Sequence, residues 1–205
     1  MSLSKYITER LKITSKTKPA NIPTPTTQEE LRSLIEQELQ RQGPDADLNH
    51  IDTSKITNMS FLFTRLKIRN IKIDEWDVSN VKEMSEMFMY CDKFKSDLSS
   101  WDVSNVRRMD SMFNSCTNFN SDLSKWNVSN VTNMAGTFLD CKKFNADLSR
   151  WDTRNVTDMA QTFNNCFMFE SDLSQWNVSK VKDMYAMFEG CPKMTSNPQL
   201  QPKFK

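Results

Sequence analysis

The chain has 205 residues, enough for one ordinary domain, and a formal net charge of +1, so no global field draws it to nucleic acid or an acidic membrane surface. Its three glycines exclude the usual phosphate-cradling loops, and its one histidine, His50, excludes His-based metal sites and most acid–base chemistry, leaving only carboxylate enzymes in that class. Only 38% of residues are hydrophobic and the mean hydropathy is −0.63, which suits a thin repeated core better than one central globule.

The N-terminus, Met1-Ser-Leu-Ser-Lys-Tyr-Ile-Thr-Glu-Arg-Leu-Lys12, has no apolar run and no small-residue cleavage site, so the chain as given reads as cytoplasmic. No stretch has the apolar length that membrane insertion needs. Residues 1–26 are read as an N-terminal extension and linker, rich in Lys, Thr and Pro from residue 14 onward. Residues 27–46 are read as a capping helix. Thr27-Gln-Glu-Glu30 has the capping-box pattern, Leu31, Leu34, Ile35 and Leu39 line one helical face, and Gly43-Pro44 stops it.

A repeat follows, over residues 47–194. The tryptophans are Trp76, Trp101, Trp126, Trp151 and Trp176, and the cysteines are Cys91, Cys116, Cys141, Cys166 and Cys191, both stepping by 25. Asp47-Leu48 opens the array, Met194 takes the last Phe position, and Pro198 falls where Leu would stand and ends the pattern. Residues 195–205 form a short polar tail that seals the last coil poorly without a partner or second copy.

Within one unit, Val106, Met109, Met112, Phe113 and Cys116 fall at i, i+3, i+6, i+7 and i+10. That spacing predicts one face of a helix of about three turns, with Asn105 as N-cap and Ser79, Ser104 and Ser129 as rival caps one residue earlier in their units. Phe119 to Val128 is expected to be extended, since Trp126 and Val128 are two apart and share a face, with a bend before Trp126. The expected architecture is an α/β repeat solenoid of right-handed, leucine-rich-repeat-like coils. It has one parallel sheet, short helices opposite, and an N-terminal capping helix.

The run Trp126-Asn-Val-Ser-Asn-Val-Thr-Asn-Met134, followed by Phe138, Cys141, Phe144, Asp147, Leu148 and Ser149, resembles the BspA-like leucine-rich-repeat family of bacterial surface proteins. The resemblance covers about residues 47–194 and is closest to the Trp-Asp-Val-Ser-Asn-Val-Thr-x-Met subtype. It implies protein binding, adhesion or host contact, and a surface or secreted location, where the N-terminus alone reads as cytoplasmic.

Catalytic chemistry, metal binding and cofactors are not expected. Five cysteines on an apolar stripe read as buried thiols, because zinc needs clustered ligands. Rows of acids, one at Asp52, Asp77, Asp102, Asn127, Asp152 and Asn177 and another at Asp97, Asp122, Asp147 and Asp172, could hold calcium or work as carboxylate pairs, or satisfy turn backbone. Identical rows in every coil weaken an enzyme reading, since catalysis needs one unusual place.

Partner choice is expected at positions the core leaves open: Glu75, Ser100, Lys125, Arg150 and Gln175 before each Trp, and Asp102, Asn127 and Asp152 after it. The pairs after Val, such as Lys82-Glu83 and Arg107-Arg108, vary similarly, and Tyr90, Phe167 and Tyr185 are aromatics at non-core positions. The expected function is a non-catalytic protein-interaction module with a protein partner. The alternative is an assembly component, a homo-oligomer joined through coil ends or faces.

Overall fold

A computed structural model of the chain describes residues 24–203. The expected N-terminal extension and nearly all of the linker lie outside the described residues, as do the last two residues of the tail.

The first element, α1 (Gln28–Gln42), is an α-helix built as its sequence requires. Thr27 Oγ1 accepts the Glu30 N–H at 3.2 Å, and the Glu30 carboxylate accepts the Thr27 N–H at 3.3 Å. Gly43 ends it at φ 83°, its N–H bonding the Leu39 carbonyl at 2.9 Å. Leu31 and Ile35 are fully buried against the first repeat unit. Gln28 Nε2 donates to the Ser60 carbonyl at 2.6 Å, and Arg32 Nη1 donates to the Phe61 and Leu62 carbonyls at 2.7 and 3.1 Å.

From Gly43 to Gly190 the described chain contains no helix and no strand, which overturns the α/β repeat solenoid expected from the spacing. Each 25-residue unit is instead a succession of tight turns. In the unit of Trp101, turns close from Trp101 N–H to Leu98 (3.2 Å), Val106 to Val103 (2.9 Å), Met112 to Met109 (3.1 Å), Cys116 to Phe113 (2.9 Å) and Phe119 to Cys116 (3.0 Å). Each turn begins and ends on a core side chain. The three-residue spacing that suggested a helix is therefore the closure of four-residue turns. Ser111 (φ 54°) and Ser115 (φ 63°) lie in the left-handed region, where a right-handed helix cannot pass.

The expected parallel sheet shrinks to one residue per unit. Parallel bridges join Asn58, Glu83, Arg108, Asn133, Asp158 and Asp183 in succession. The extended stretch is cut short because Asp102 Oδ1 takes the Ser104 N–H at 3.0 Å and bends the chain immediately after Trp101.

A different ladder binds the units. Met109, Ser111, Phe113 and Ser115 donate to the carbonyls of Asn133, Ala135, Thr137 and Leu139 at 2.8–3.1 Å, while the intervening Met112, Asn114 and Cys116 donate back within their own unit. In this arc, alternate amides thus leave the unit, always toward the following one.

Stacking aligns like side chains. Phe63, Phe88, Phe113, Phe138, Phe163 and Phe188 form one row with centroids 5.0–5.8 Å apart and near-parallel rings. Phe94, Phe119, Phe144 and Phe169 form a second row at 5.7–5.9 Å. The two rows touch within each unit at 4.1–4.2 Å. Met194 continues the second row, fully buried, from the short helix α2 (Pro192–Thr195). A 3₁₀ turn follows at Pro198–Leu200, and the Leu200 carbonyl accepts the Leu173 N–H at 2.8 Å. The tail therefore folds over the Leu corner of the last unit. No helix among the described residues is long and apolar enough to cross a membrane.

Candidate interaction surface

Each Trp is held from inside. Trp126 Nε1 donates to the Leu98 carbonyl of the preceding unit at 3.0 Å, and Trp76, Trp101, Trp151 and Trp176 make the equivalent bond at 2.9–3.0 Å. Anchoring the ring pushes its two chain neighbours outward. Glu75, Ser100, Lys125, Arg150 and Gln175, at the tips of the Leu–Trp turns, are all exposed, as are Asp102 and Asn127, while Asp152 is half-buried. The structure thus brings the sequence-selected residues into two adjacent rows flanking the buried Trp row.

The two rows differ in freedom. In the row after Trp, Asp102 and Asn127 accept the Ser104 and Ser129 N–H groups at 3.0 and 3.1 Å. Asp152 accepts the Arg154 N–H at 3.2 Å and its Nε at 2.8 Å. Hydrogen bonds from Ser104 hold the Asp102 carboxyl below its ordinary value, and the Arg154 side chain does the same for Asp152. In the row before Trp, Ser100 Oγ donates to the Asp74 carbonyl at 2.7 Å, and Gln175 Nε2 to Ser174 Oγ at 3.2 Å. Lys125 and Arg150 make no hydrogen bond or close ion pair among the described residues; their charges act on the Asp122 and Asp147 carboxylates.

The second acidic row is equally committed to turns. Asp97, Asp122, Asp147 and Asp172 each accept the N–H of the Ser two residues on at 2.9 Å, and bonds from those serines lower each carboxyl. A general acid needs the opposite shift, so these groups act as turn acceptors. No cluster of His, Cys, Asp or Glu among the described residues is arranged to hold a metal.

Asn105, expected to cap a helix, has none to cap. Its Nδ2 donates to the Ser79 carbonyl of the preceding unit at 2.8 Å, and Asn80, Asn130 and Asn155 repeat the bond at 2.7–2.9 Å. Ser79, Ser104 and Ser129 supply carbonyl acceptors to this row rather than caps. The cysteines Cys91, Cys116, Cys141, Cys166 and Cys191 are free, buried thiols. Cys116 Sγ donates to the Phe88 carbonyl at 3.0 Å. Burial pushes the Cys91 thiol up to about 12 and Cys191 to about 11, and raises the three between them.

Exposed aromatics add features outside these rows. Tyr90, Phe167 and Tyr185 are exposed, Tyr185 most of all at 73%, and the Arg65 guanidinium lies 5.2 Å from the Tyr90 ring. Phe61 and Met168 are exposed too and were missed in the sequence. Only their place at non-core repeat positions could have shown them. The left-handed positions were missed as well, although Gly136, Gly190, Asp140 and Asn165 all fall on them.

Comparison with curated proteins and with solved structures returns no match. The family described as "Mycoplasma protein of unknown function, DUF285" matches residues 36–139 and 121–201. These two matches span the C-terminal half of α1, every Trp and Cys, and most of the tail, and on that coverage the chain belongs to this family.

Proposed function

We propose that the chain is a non-catalytic protein-interaction module, with a protein partner gripping the strip beside the Trp row. One observation carries this reading. In that strip the core prescribes nothing for the residue before Trp, the side chain is exposed in every unit, and its chemistry changes from Glu75 through Ser100, Lys125 and Arg150 to Gln175. The neighbouring carboxylates are engaged in turns with lowered pKa, which suits a fixed acceptor row and not proton transfer. The likeness of the Trp126–Met134 run to BspA-like leucine-rich-repeat proteins supports a partner met in host contact or adhesion.

The test is affinity capture with the full chain and its Lys125→Glu, Arg150→Glu double variant, against extract of its own cells and host extract. A saturable partner retained by the parent and lost by the variant is the expected result. Equal capture by both proteins would remove these rows from the interface.

A further inference from the structure

Just before the Met arc, amides such as those of Arg107 and Thr132 donate to the preceding unit, but over the arc itself the ladder runs one way, and that makes the two ends of the arc chemically unlike. From the unit of Met59 through that of Met159, alternate amides donate to the following unit, and none of these amides points backward. The first end of the stack therefore presents carbonyls, and α1 covers it: Gln28 takes the Ser60 carbonyl and Arg32 those of Phe61 and Leu62.

The last end presents amides. Met159, Gln161, Phe163 and Asn165 donate to Asp183, Tyr185, Met187 and Glu189 at 2.8–3.0 Å. One unit later, the amides of Met184, Ala186, Phe188 and Gly190 find no acceptor among the described residues. The tail covers the Leu corner of this end through Leu200 and Met194 and leaves this arc open. Apolar side chains share the opening. Val178, Val181 and Met184 are half-buried, whereas Val103, Val106 and Met109 at the same positions three units earlier are buried.

We infer that this C-terminal edge docks a 25-residue repeat unit of the same type, supplied by a separate chain, which adds the next rung of the ladder. The inference deepens the interaction reading above by naming a second surface and its partner's chemistry.

The path of the edge selects this occupant. Ala186 (φ 51°) and Gly190 (φ 66°) turn the chain twice, so the four donors do not lie along a straight line. An extended strand advances about 3.3 Å per residue without turning and cannot meet all four. A segment with left-handed residues at the matching places can, and every unit of this repeat has them. Such a unit would also set a Phe over Phe188, as Phe188 lies over Phe163 at 5.8 Å. A second copy of this chain is the poorer fit, because its carbonyl row lies under α1, with Leu31 and Ile35 fully buried there.

The probe is a synthetic peptide with the sequence of residues 127–144, the unit whose two left-handed positions, Gly136 (φ 61°) and Asp140 (φ 58°), strain the backbone least. It is titrated into the isotope-labelled full chain, with backbone amide shifts and hydrogen exchange read residue by residue. The expected result is a saturable shift and slowed exchange at Met184, Ala186, Phe188 and Gly190, with the already bonded amides of Met109 to Asn165 unmoved. A peptide carrying Gly136→Pro cannot reach that φ and should bind at least about tenfold more weakly. The Val181→Asp, Met184→Asp chain should lose the response while its internal amides report an intact fold. Absence of saturable shifts at these amides up to millimolar peptide overturns the inference, as does equal binding of the Pro peptide. Protection of the same amides by protein concentration alone also overturns it and assigns the edge to a second copy. The Lys125 and Arg150 variant leaves this edge intact, so the two readings fail separately.

Discussion

Buried polar groups in this chain are satisfied one residue at a time, and the Trp row shows what each bond is for. The Trp126 indole fills a core position, and its N–H gives the Leu98 carbonyl a second bond beside the one from the Trp101 N–H that closes the turn. Trp126→Phe keeps most of the apolar area and removes that second bond, so it should cost about 0.5–1.5 kcal/mol. Urea unfolding followed by circular dichroism measures it, and an unchanged midpoint would mean water replaces the indole. The thiols give a pH prediction. The unfolded chain loses its thiol protons near 9.0, whereas folded Cys91 keeps its proton to about 12. The stability held by the neutral thiol is complete below pH 9 and is lost as pH rises from there toward 12. Unfolding midpoints measured from pH 7 to 11 should therefore fall only above pH 9. A disulfide-exchange reagent at pH 8 should label the native thiols slowly and all five quickly in denaturant.

At the scale of the element, the turn replaces both helix and strand. The spacing of Val106, Met109, Met112, Phe113 and Cys116 satisfies a helical stripe and a run of four-residue turns equally well, since both bring every third or fourth side chain inward. What separates them is the sign of φ at two positions per unit, and most residues there, such as Ser111, Gln161 and Tyr90, give no hint of it. Gln161→Gly should stabilise the chain by up to about 1 kcal/mol, because its φ of 55° strains any side chain. Gly190→Ala should destabilise it, since the new Cβ would clash with Asn165 Oδ1. Thermal unfolding of the two variants should move in opposite directions. α1 was legible because its capping box, apolar face and terminal glycine each act within a few residues of themselves.

At the scale of the whole molecule, each unit contacts its neighbours, and stability is close to a sum of unit and interface terms. Deleting residues 127–151 removes one whole 25-residue period and keeps every row in register. That variant should fold cooperatively with a lowered midpoint. Deleting 127–150 shifts the Trp, Phe and Cys rows by one residue against the rest and should abolish the cooperative transition. Equal melts for the two deletions would show that the rows do not set the register.

Much of this molecule was determined by sequence alone. The 25-residue period named the side chains at Trp76 to Trp176 and Cys91 to Cys191 as one ladder, and composition pointed to a thin repeated core. The residues beside Trp were legible as open positions because no packing constraint repeats there. Only the tertiary structure decided where the backbone hydrogen bonds go. A turn, a helix and a short strand can all carry the same side-chain spacing, and the choice depended on acceptors 24 residues away in the next unit. The amide-bearing end of the Met arc is legible only from that choice, because an arc whose bonds all run one way has ends of opposite character and side-chain periodicity carries no direction.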